Sequence, residues 1–407
     1  MFFTKRYFYF SFIIPYHCDI IKKSMIESEE NSMDYANGNS KRRDLFVFAG
    51  QSNMMGASVY PPKKTICVEH SYEYKHKPRR LGHSKGAFVL AGYPAGEFSY
   101  VDMKRAYAPD LVNERGESRL TDYQKNTFFC PAMSSLASNE DKTEHPFSTF
   151  SEATIQKGAT LAPILAEEWE KLGYTCAYAH IAKGAIPIAH YLTDDMALEY
   201  RKRMTEYNRS HNTCFEETMP MERRMPGAAD YFFEKCKDFF VDAEKTFSED
   251  KLSAKCFFWL QGEGDAGCSA VEYEFQLDVL WDALKSIGFT HFFCIRVDYF
   301  GKPEIDRIME AQERFTKKHP DAYMLTRAAS YFPYAGREES DWFVAPPAEE
   351  YHNCRDSFYG YENQHINEKG FCVIARHGVK NLCRILIDDK EPCVEPENIT
   401  SLKKQKE

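Results

Sequence analysis

Five short, nearly unbroken apolar runs constrain this chain more than any other feature: Leu45–Ala49, Cys176–Ala182, Ala254–Leu260, His291–Val297 and Ala322–Thr326. A strand with one wet face alternates apolar and polar residues, whereas a run that is apolar at almost every position needs cover on both faces. Stretches with helical spacing lie between and after the runs, over Thr154–Leu172, Ala228–Phe247, Ala270–Ile287, Pro303–Lys318 and Glu368–Ile387. In the last of these, Phe371, Ile374, Ala375, Val379, Leu382 and Ile385 form one stripe at spacing three or four, a docking face. The alternation predicts an α/β fold: a three-layer α/β/α sandwich around a mainly parallel sheet of about five strands, with Leu45–Ala49 inside it. The 407 residues fit one large domain with insertions.

Two stretches break the alternation, at about 60–151 and 191–226, both mixed in Pro, Gly, Tyr and charge. Each follows a predicted strand end, the edge where doubly wound sheets collect ligand loops, so both are expected to build the mouth of a site. Residues 1–43 are expected to be an N-terminal leader, disordered or a non-native extension, with Met25 or Met33 as an alternative start. Lys5 and Arg6 before the apolar Tyr7–Tyr16 mimic a secretory signal, but Pro15 interrupts the stretch and no small-residue cleavage site follows. Residues 44–387 form the expected domain, and 388–407 a polar tail that frays.

The charge balance, 52 Lys+Arg against 61 Asp+Glu for a net −9, speaks against nucleic acid or an anionic membrane as partner. No run approaches the ~18 apolar residues that span a bilayer. The 13 cysteines include no C-x-x-C pair, which speaks against a zinc site or a disulfide framework. Cys176, Cys256, Cys294 and Cys372 sit in apolar stretches as small buried hydrophobes. Reduced thiols favour a cytoplasmic location, with secretion as the alternative.

Three motifs fall at or just beyond predicted strand ends. Gly50-Gln51-Ser52-Asn53-Met54 follows the first apolar run. A serine at such a tip can serve as a nucleophile or simply cap the following helix. Trp259-Leu260-Gln261-Gly262-Glu263-Gly264-Asp265 ends the third run, where the Gln261 amide could donate to an oxyanion. Glu263 and Asp265 read as part of a polar cluster on the sheet edge, as a structural loop or as a metal pair, though no nearby His supports a metal. Glu362-Asn363-Gln364-His365-Ile366-Asn367 precedes the last helix, with an acid three residues before a histidine that it can orient. A lone pair of this kind is equally a first helical turn with an exposed His. After the second run, Lys183-Gly184-Ala185 offers a backbone N–H unobstructed by a side chain.

With these motifs the chain resembles the sialate O-acetylesterase (SASA) family of carbohydrate acetylesterases, within the SGNH hydrolase superfamily, over about Asp44 to Ile387. The resemblance implies a flavodoxin-like sandwich and a serine esterase that needs no metal or cofactor. It implies Ser52 as nucleophile, His365 as general base and Glu362 as the acid orienting it, with Glu263 as the alternative orienting acid. The Ser52 and Gly184 N–H groups and the Gln261 amide would form the oxyanion hole, with Gln51, Asn53, Glu263 and Asp265 in support. Glu362 stands where Asp is more usual, and Ala185-Ile186-Pro187 where a second glycine is expected. The implied partner is an acetylated carbohydrate, sialic acid or a plant glycan such as xylan. An esterase of lipids or small esters and a silent glycan-binding module are the competing readings. Tyr72, Tyr74, Tyr93, Tyr100 and Tyr107 crowd the first insertion, either to stack on sugar rings or to pack the insertion onto the domain.

Overall fold

A computed structural model describes residues 42–56, 66, 68, 70–74, 159–217, 227–297, 304–332 and 365–397, with the backbone of 85–87, 97–99 and 129–131. Its centre is a sheet built from β1 (Arg42–Gly50), β2 (Tyr72–Tyr74), β5 (Phe129–Pro131), β6 (Thr175–Ala182), β7 (Lys251–Leu260), β8 (His291–Ile295) and β9 (Ala322–Thr326). Strands β3 (Lys85–Ala87) and β4 (Glu97–Ser99) form a separate antiparallel pair. The order across the sheet is β5-β2-β6-β1-β7-β8-β9. Every pairing is parallel except β2 with β5 at one edge. All five expected strands are present. The sheet exceeds the expected five because β2 and β5, three residues each, extend one side.

The unbroken apolar character of β1 has the cause expected for it. Leu45, Val47 and Ala49 enter one core with Phe232, Leu277 and Ile308, while Phe46 and Phe48 enter the other with Ile164, Trp169 and Phe371. Successive side chains of one strand thus face opposite layers. On the first face lie α3 (Asp194–His211), α4 (Ala228–Thr246), α5 (Ala270–Ser286) and α6 (Ile305–Lys318); on the second lie α1 (Ser52–Met55), α2 (Leu161–Lys171), α7 (Ala328–Tyr331) and α8 (Glu368–Leu386). The stripe on α8 is buried at every position named for it. The fold is therefore an α/β/α sandwich. Aromatic rings bind β1 to β7: Phe48 stacks on Phe258 with ring centroids 4.6 Å apart, and Phe46 meets the same ring edge-on at 5.0 Å.

Boundaries differ from expectation in three places. β1 begins at Arg42, so the last two residues assigned to the leader belong to the fold. Arg43 is buried because its guanidinium has partners: the Asp250 carboxylate at 2.5 Å and the His70 carbonyl at 2.6 Å. The segment 191–226, expected as an irregular insertion, contains the 18-residue α3, started by Thr193 capping the Met196 N–H and ended by Asn212 in left-handed geometry. Third, residues 388–397 do not fray. Glu395 accepts from Thr326 Oγ1 at 2.7 Å, the Arg327 N–H at 2.6 Å and His377 Nδ1 at 2.6 Å. Glu397 O accepts from Arg296 at 2.8 Å, and Asn381 Oδ1 accepts the Cys393 N–H at 2.8 Å. This strap closes a buried charge cluster, Arg296, Glu313, Arg327 and Glu395, beyond the ends of β8 and β9.

Topology positions the site. β1 is flanked by β6 on one side and β7 on the other, so the winding direction reverses around β1. Such a switch point leaves a crevice outside the carboxyl ends of the strands it separates. Gly50 lies in register with Ala182 and Leu260, the last residues of β6 and β7. The first two motifs and the Lys183-Gly184 turn therefore meet at one edge.

Among the described residues no helix is long and apolar enough to cross a membrane, and no three His, Cys, Asp or Glu side chains gather as a metal site. Nine described cysteines are free thiols.

Candidate active site

The chain leaves β1 through a turn that requires glycine. Gly50 has φ +148°, and a Cβ there would lie 2.1 Å from the Leu260 carbonyl oxygen. The ladder continues for one step on each side, with the Gln51 N–H donating to Leu260 O at 3.1 Å and the Lys183 N–H to Gly50 O at 3.2 Å. Tyr191 clamps the same residue: its hydroxyl donates to Gly50 O at 2.5 Å and lies 3.0 Å from the Gly50 N–H. Ser52 then opens the one-turn helix α1, which Gly56 closes in left-handed geometry at φ +81°. The cap position belongs to Gln51, so the alternative role of Ser52 as N-cap is overturned. Ser52 is half-buried, between a sealed turn and the outside.

Residues around Ser52 knit the motifs together. Gln51 Oε1 accepts from the Gly264 N–H at 3.0 Å and from Gln261 Nε2 at 3.2 Å. Asn53, 1% exposed, donates through Nδ2 to Glu263 Oε1 at 2.7 Å, and its Oδ1 accepts the Ile366 N–H at 2.9 Å. One amide thus touches all three motifs, and it fixes the backbone next to His365 beside the Ser52 turn. His365 is half-buried. Glu362, the expected orienting acid, lies outside the described residues, as do Tyr93, Tyr100 and Tyr107.

Gln261 departs from its expected role. It is fully buried, and its Nε2 faces three acceptors: Gln51 Oε1, the Ile186 carbonyl at 3.1 Å and Asp265 Oδ2. Two N–H groups with three internal acceptors leave none for a substrate oxyanion. Its Oε1 accepts from the Tyr273 hydroxyl at 2.7 Å, and Gln312 Nε2 donates to its carbonyl at 2.8 Å. Gln261 is a framework residue here. Asp265 supports the same framework, its Oδ2 accepting the Ile188 N–H at 2.8 Å. Gly184 lies in the turn after β6, partly exposed, followed by Ala185 in left-handed geometry at φ +55°.

Glu263 follows Gly262, whose φ of +153° swings the loop off the end of β7 into a 3-10 turn. The residue is only half-buried, but its carboxyl is not: Oε2 is sealed from solvent and has no hydrogen-bond partner. Burial pushes this carboxyl up to about 7. Burial also lowers the Lys183 amine on the neighbouring turn.

Tyr72 and Tyr74 take the packing role. Tyr72 lies against Phe247 with centroids 5.3 Å apart, and the buried Tyr74 donates to Asp242 at 2.7 Å. Three residues absent from the sequence reading matter to the site: Tyr191, Tyr273 and Gln312. Gln312 carried a signal, since it stands on the apolar stripe of α6 with Ile308 and Phe315, where a glutamine needs an internal partner. The two tyrosines look like ordinary core aromatics.

No protein-family profile matches this chain, and no curated protein matches its sequence. Solved structures do resemble it. NanS aligns with TM-score 0.41 at 12% identity, over 85% of this chain and 98% of the other. A protein from Arabidopsis thaliana aligns with TM-score 0.39 at 11% identity, over 84% and 99%. XAC1771, a carbohydrate acetylesterase from Xanthomonas citri, aligns with TM-score 0.31 at 12% identity, over 69% of this chain and 48% of the other.

Proposed function

We propose that the protein is a serine esterase that removes O-acetyl groups from carbohydrate. The observation that carries this reading is the Asn53 amide, which ties the Ser52 turn, the Glu263 loop and the segment next to His365 into one cluster. Residues spread over 313 positions meet at the switch point, where this architecture binds ligands.

In this mechanism His365 takes the proton of Ser52, and the serine oxygen attacks the acetyl carbonyl. The Ser52 and Gly184 N–H groups donate to the oxyanion of the tetrahedral intermediate. His365 then passes its proton to the leaving sugar hydroxyl, which leaves an acetyl-serine. Water, deprotonated by His365, attacks that ester and releases acetate. Glu362 orients the imidazole in the tautomer this sequence needs. The Gln261 amide keeps the Ser52 turn and the Glu263 loop in register instead of touching the oxyanion.

The test is acetate release from acetylated sialic acid, acetylated xylan and an aryl acetate by the purified protein, with Ser52→Ala as control. Release from one or both sugars, absent in the variant, is the expected result. No acetate from any of the three overturns the reading.

A further inference from the structure

The two oxygens of the Glu263 carboxyl have different surroundings. Oε1 accepts from Asn53 Nδ2 at 2.7 Å, while Oε2 is sealed and unpartnered. A buried oxygen left without a donor costs stability, and such a cost in a native site calls for a reason. A direct contact with substrate is not that reason, because Oε2 is closed off from the solvent through which a substrate would arrive.

The reason lies in the direction of the Asn53 bonds. An asparagine amide has a donor side and an acceptor side and can turn over about its last torsion. A carboxyl oxygen facing Nδ2 settles which way it turns, and the amide oxygen then points at the Ile366 N–H, 2.9 Å away. Turned over, the amide would set oxygen against Glu263 Oε1 and N–H against the Ile366 N–H, two repulsive contacts in a site that is 1% exposed. Glu263 thus sets the polarity of Asn53, and Asn53 holds the backbone one residue past His365.

The geometry points to Glu263 as a positioning residue that acts on His365 through the Asn53 amide and the Ile366 N–H. For the role of His365 this rests on the proposed function; the chain of contacts itself does not.

The test compares Glu263→Ala, Glu263→Gln, Asn53→Ala and the double variant Glu263→Ala/Asn53→Ala in the full chain. Amide hydrogen exchange of the peptide containing Ile366, read by mass spectrometry, reports the position of the loop without reference to activity. Exchange there should speed up by about tenfold or more in Asn53→Ala and in Glu263→Ala, and by less than about threefold in Glu263→Gln, which keeps an oxygen for Asn53. On an aryl acetate, Glu263→Ala should lower kcat by about 10- to 100-fold with little change in KM. The double variant should be no slower than Asn53→Ala alone, because both changes cut one chain of contacts. Unchanged exchange at Ile366 in Glu263→Ala overturns the inference, and so do losses of kcat that multiply in the double variant. If the wild-type protein releases acetate from none of the two acetylated sugars and the aryl acetate, the proposed function falls and the exchange measurement still decides the positioning role. Should Glu263→Ala not fold, Glu263→Met removes the acceptor at similar volume and replaces it.

Discussion

The Ile366 N–H donates to Asn53 Oδ1 across 2.9 Å, joining residues 313 positions apart. This bond brings the last helix to the tip of the central strand. It fixes the backbone one residue past His365 against the side chain of the residue that follows Ser52.

If Ser52 is the nucleophile, Ser52→Ala should lower esterase turnover by at least about three orders of magnitude. The side chain is half-buried at the mouth of the site, so the thermal midpoint should stay within about 2 °C of the wild-type value. Steady-state assay on an aryl acetate together with a melting curve checks both halves. Retained turnover in the variant removes Ser52 from the mechanism.

For the carboxylates, Glu362→Gln should cut turnover by about two to four orders of magnitude, and Glu263→Gln by less. The sequence puts Glu362 three residues before His365, the spacing on which its orienting role is proposed, whereas Glu263 is engaged with Asn53. Rates for the two purified variants decide the matter. A severe Glu263→Gln with a mild Glu362→Gln reverses the assignment.

The Glu263 carboxyl also gives stability a pH dependence. Burial raises it to about 7 from an ordinary 4.5, so between these values the folded chain binds a proton that the unfolded chain has lost. Stability therefore falls as pH rises through that window; the contribution is fully present below about 4.5 and gone above about 7. A shift of this size corresponds to up to about 3 kcal/mol. Urea unfolding of wild type and Glu263→Gln at about pH 5 and about pH 8 should show the variant gaining on the wild type at the higher pH. A stability difference that does not change with pH would contradict the assignment.

Gly50→Ala should be among the most damaging single changes in the chain. The new methyl would sit 2.1 Å from Leu260 O at a φ of +148°. Separating β1 from β7 to relieve that overlap disrupts the contacts of Phe46 and Phe48 with Phe258. A loss of about 3 kcal/mol or more in a denaturant titration, or an insoluble product, is expected.

A comparable loss should follow removal of the strap's central carboxylate. Glu395→Ala leaves Arg327, Thr326 and His377 facing an empty position beyond β9, with Arg327 buried. The Arg327 guanidinium keeps Glu313, so the loss comes from buried donors left without their acceptor, at about 1–3 kcal/mol each. Urea midpoints of the two proteins measure it.

The elements legible from sequence are those with a strong period. β9 and the starts of α4, α5 and α8 fall where the pattern places them, because Phe, Leu, Ile and Val recur at spacing two or three to four. α3 escaped notice because Tyr200, Met204 and Asn208 are its only buried residues. A single file of three among many charges is a faint period. β2 and β5 are too short to show one. The polar Glu395 and Glu397 give the strap the pattern of a fraying tail; nothing in their own neighbourhood reveals that Arg296 and Arg327 wait for them from about 70 to 100 residues earlier. At the site, Gly50 and the motif glycines were readable as turn formers. The internal saturation of the Gln261 amide was not, since it depends on Ile186 and Tyr273 arriving from other elements.

The central place of β1 has a consequence for biosynthesis. Its neighbours β6 and β7 are encoded about 130 and 210 residues later, so the segment Leu45-Phe46-Val47-Phe48-Ala49 leaves the ribosome long before either partner exists. At ordinary elongation rates of about 5–20 residues per second it waits roughly 7 to 26 seconds for β6. An uncharged, aromatic, β-prone five-residue run is the kind of sequence that pairs with copies of itself. Basic residues Lys41, Arg42 and Arg43 and the acidic Asp44 stand immediately before it, and such charges act as gatekeepers against that pairing. Arg43, which anchors β1 to Asp250 and His70 in the folded chain, is one of these charges, so one side chain serves both the finished sheet and the sequence's guard against self-pairing.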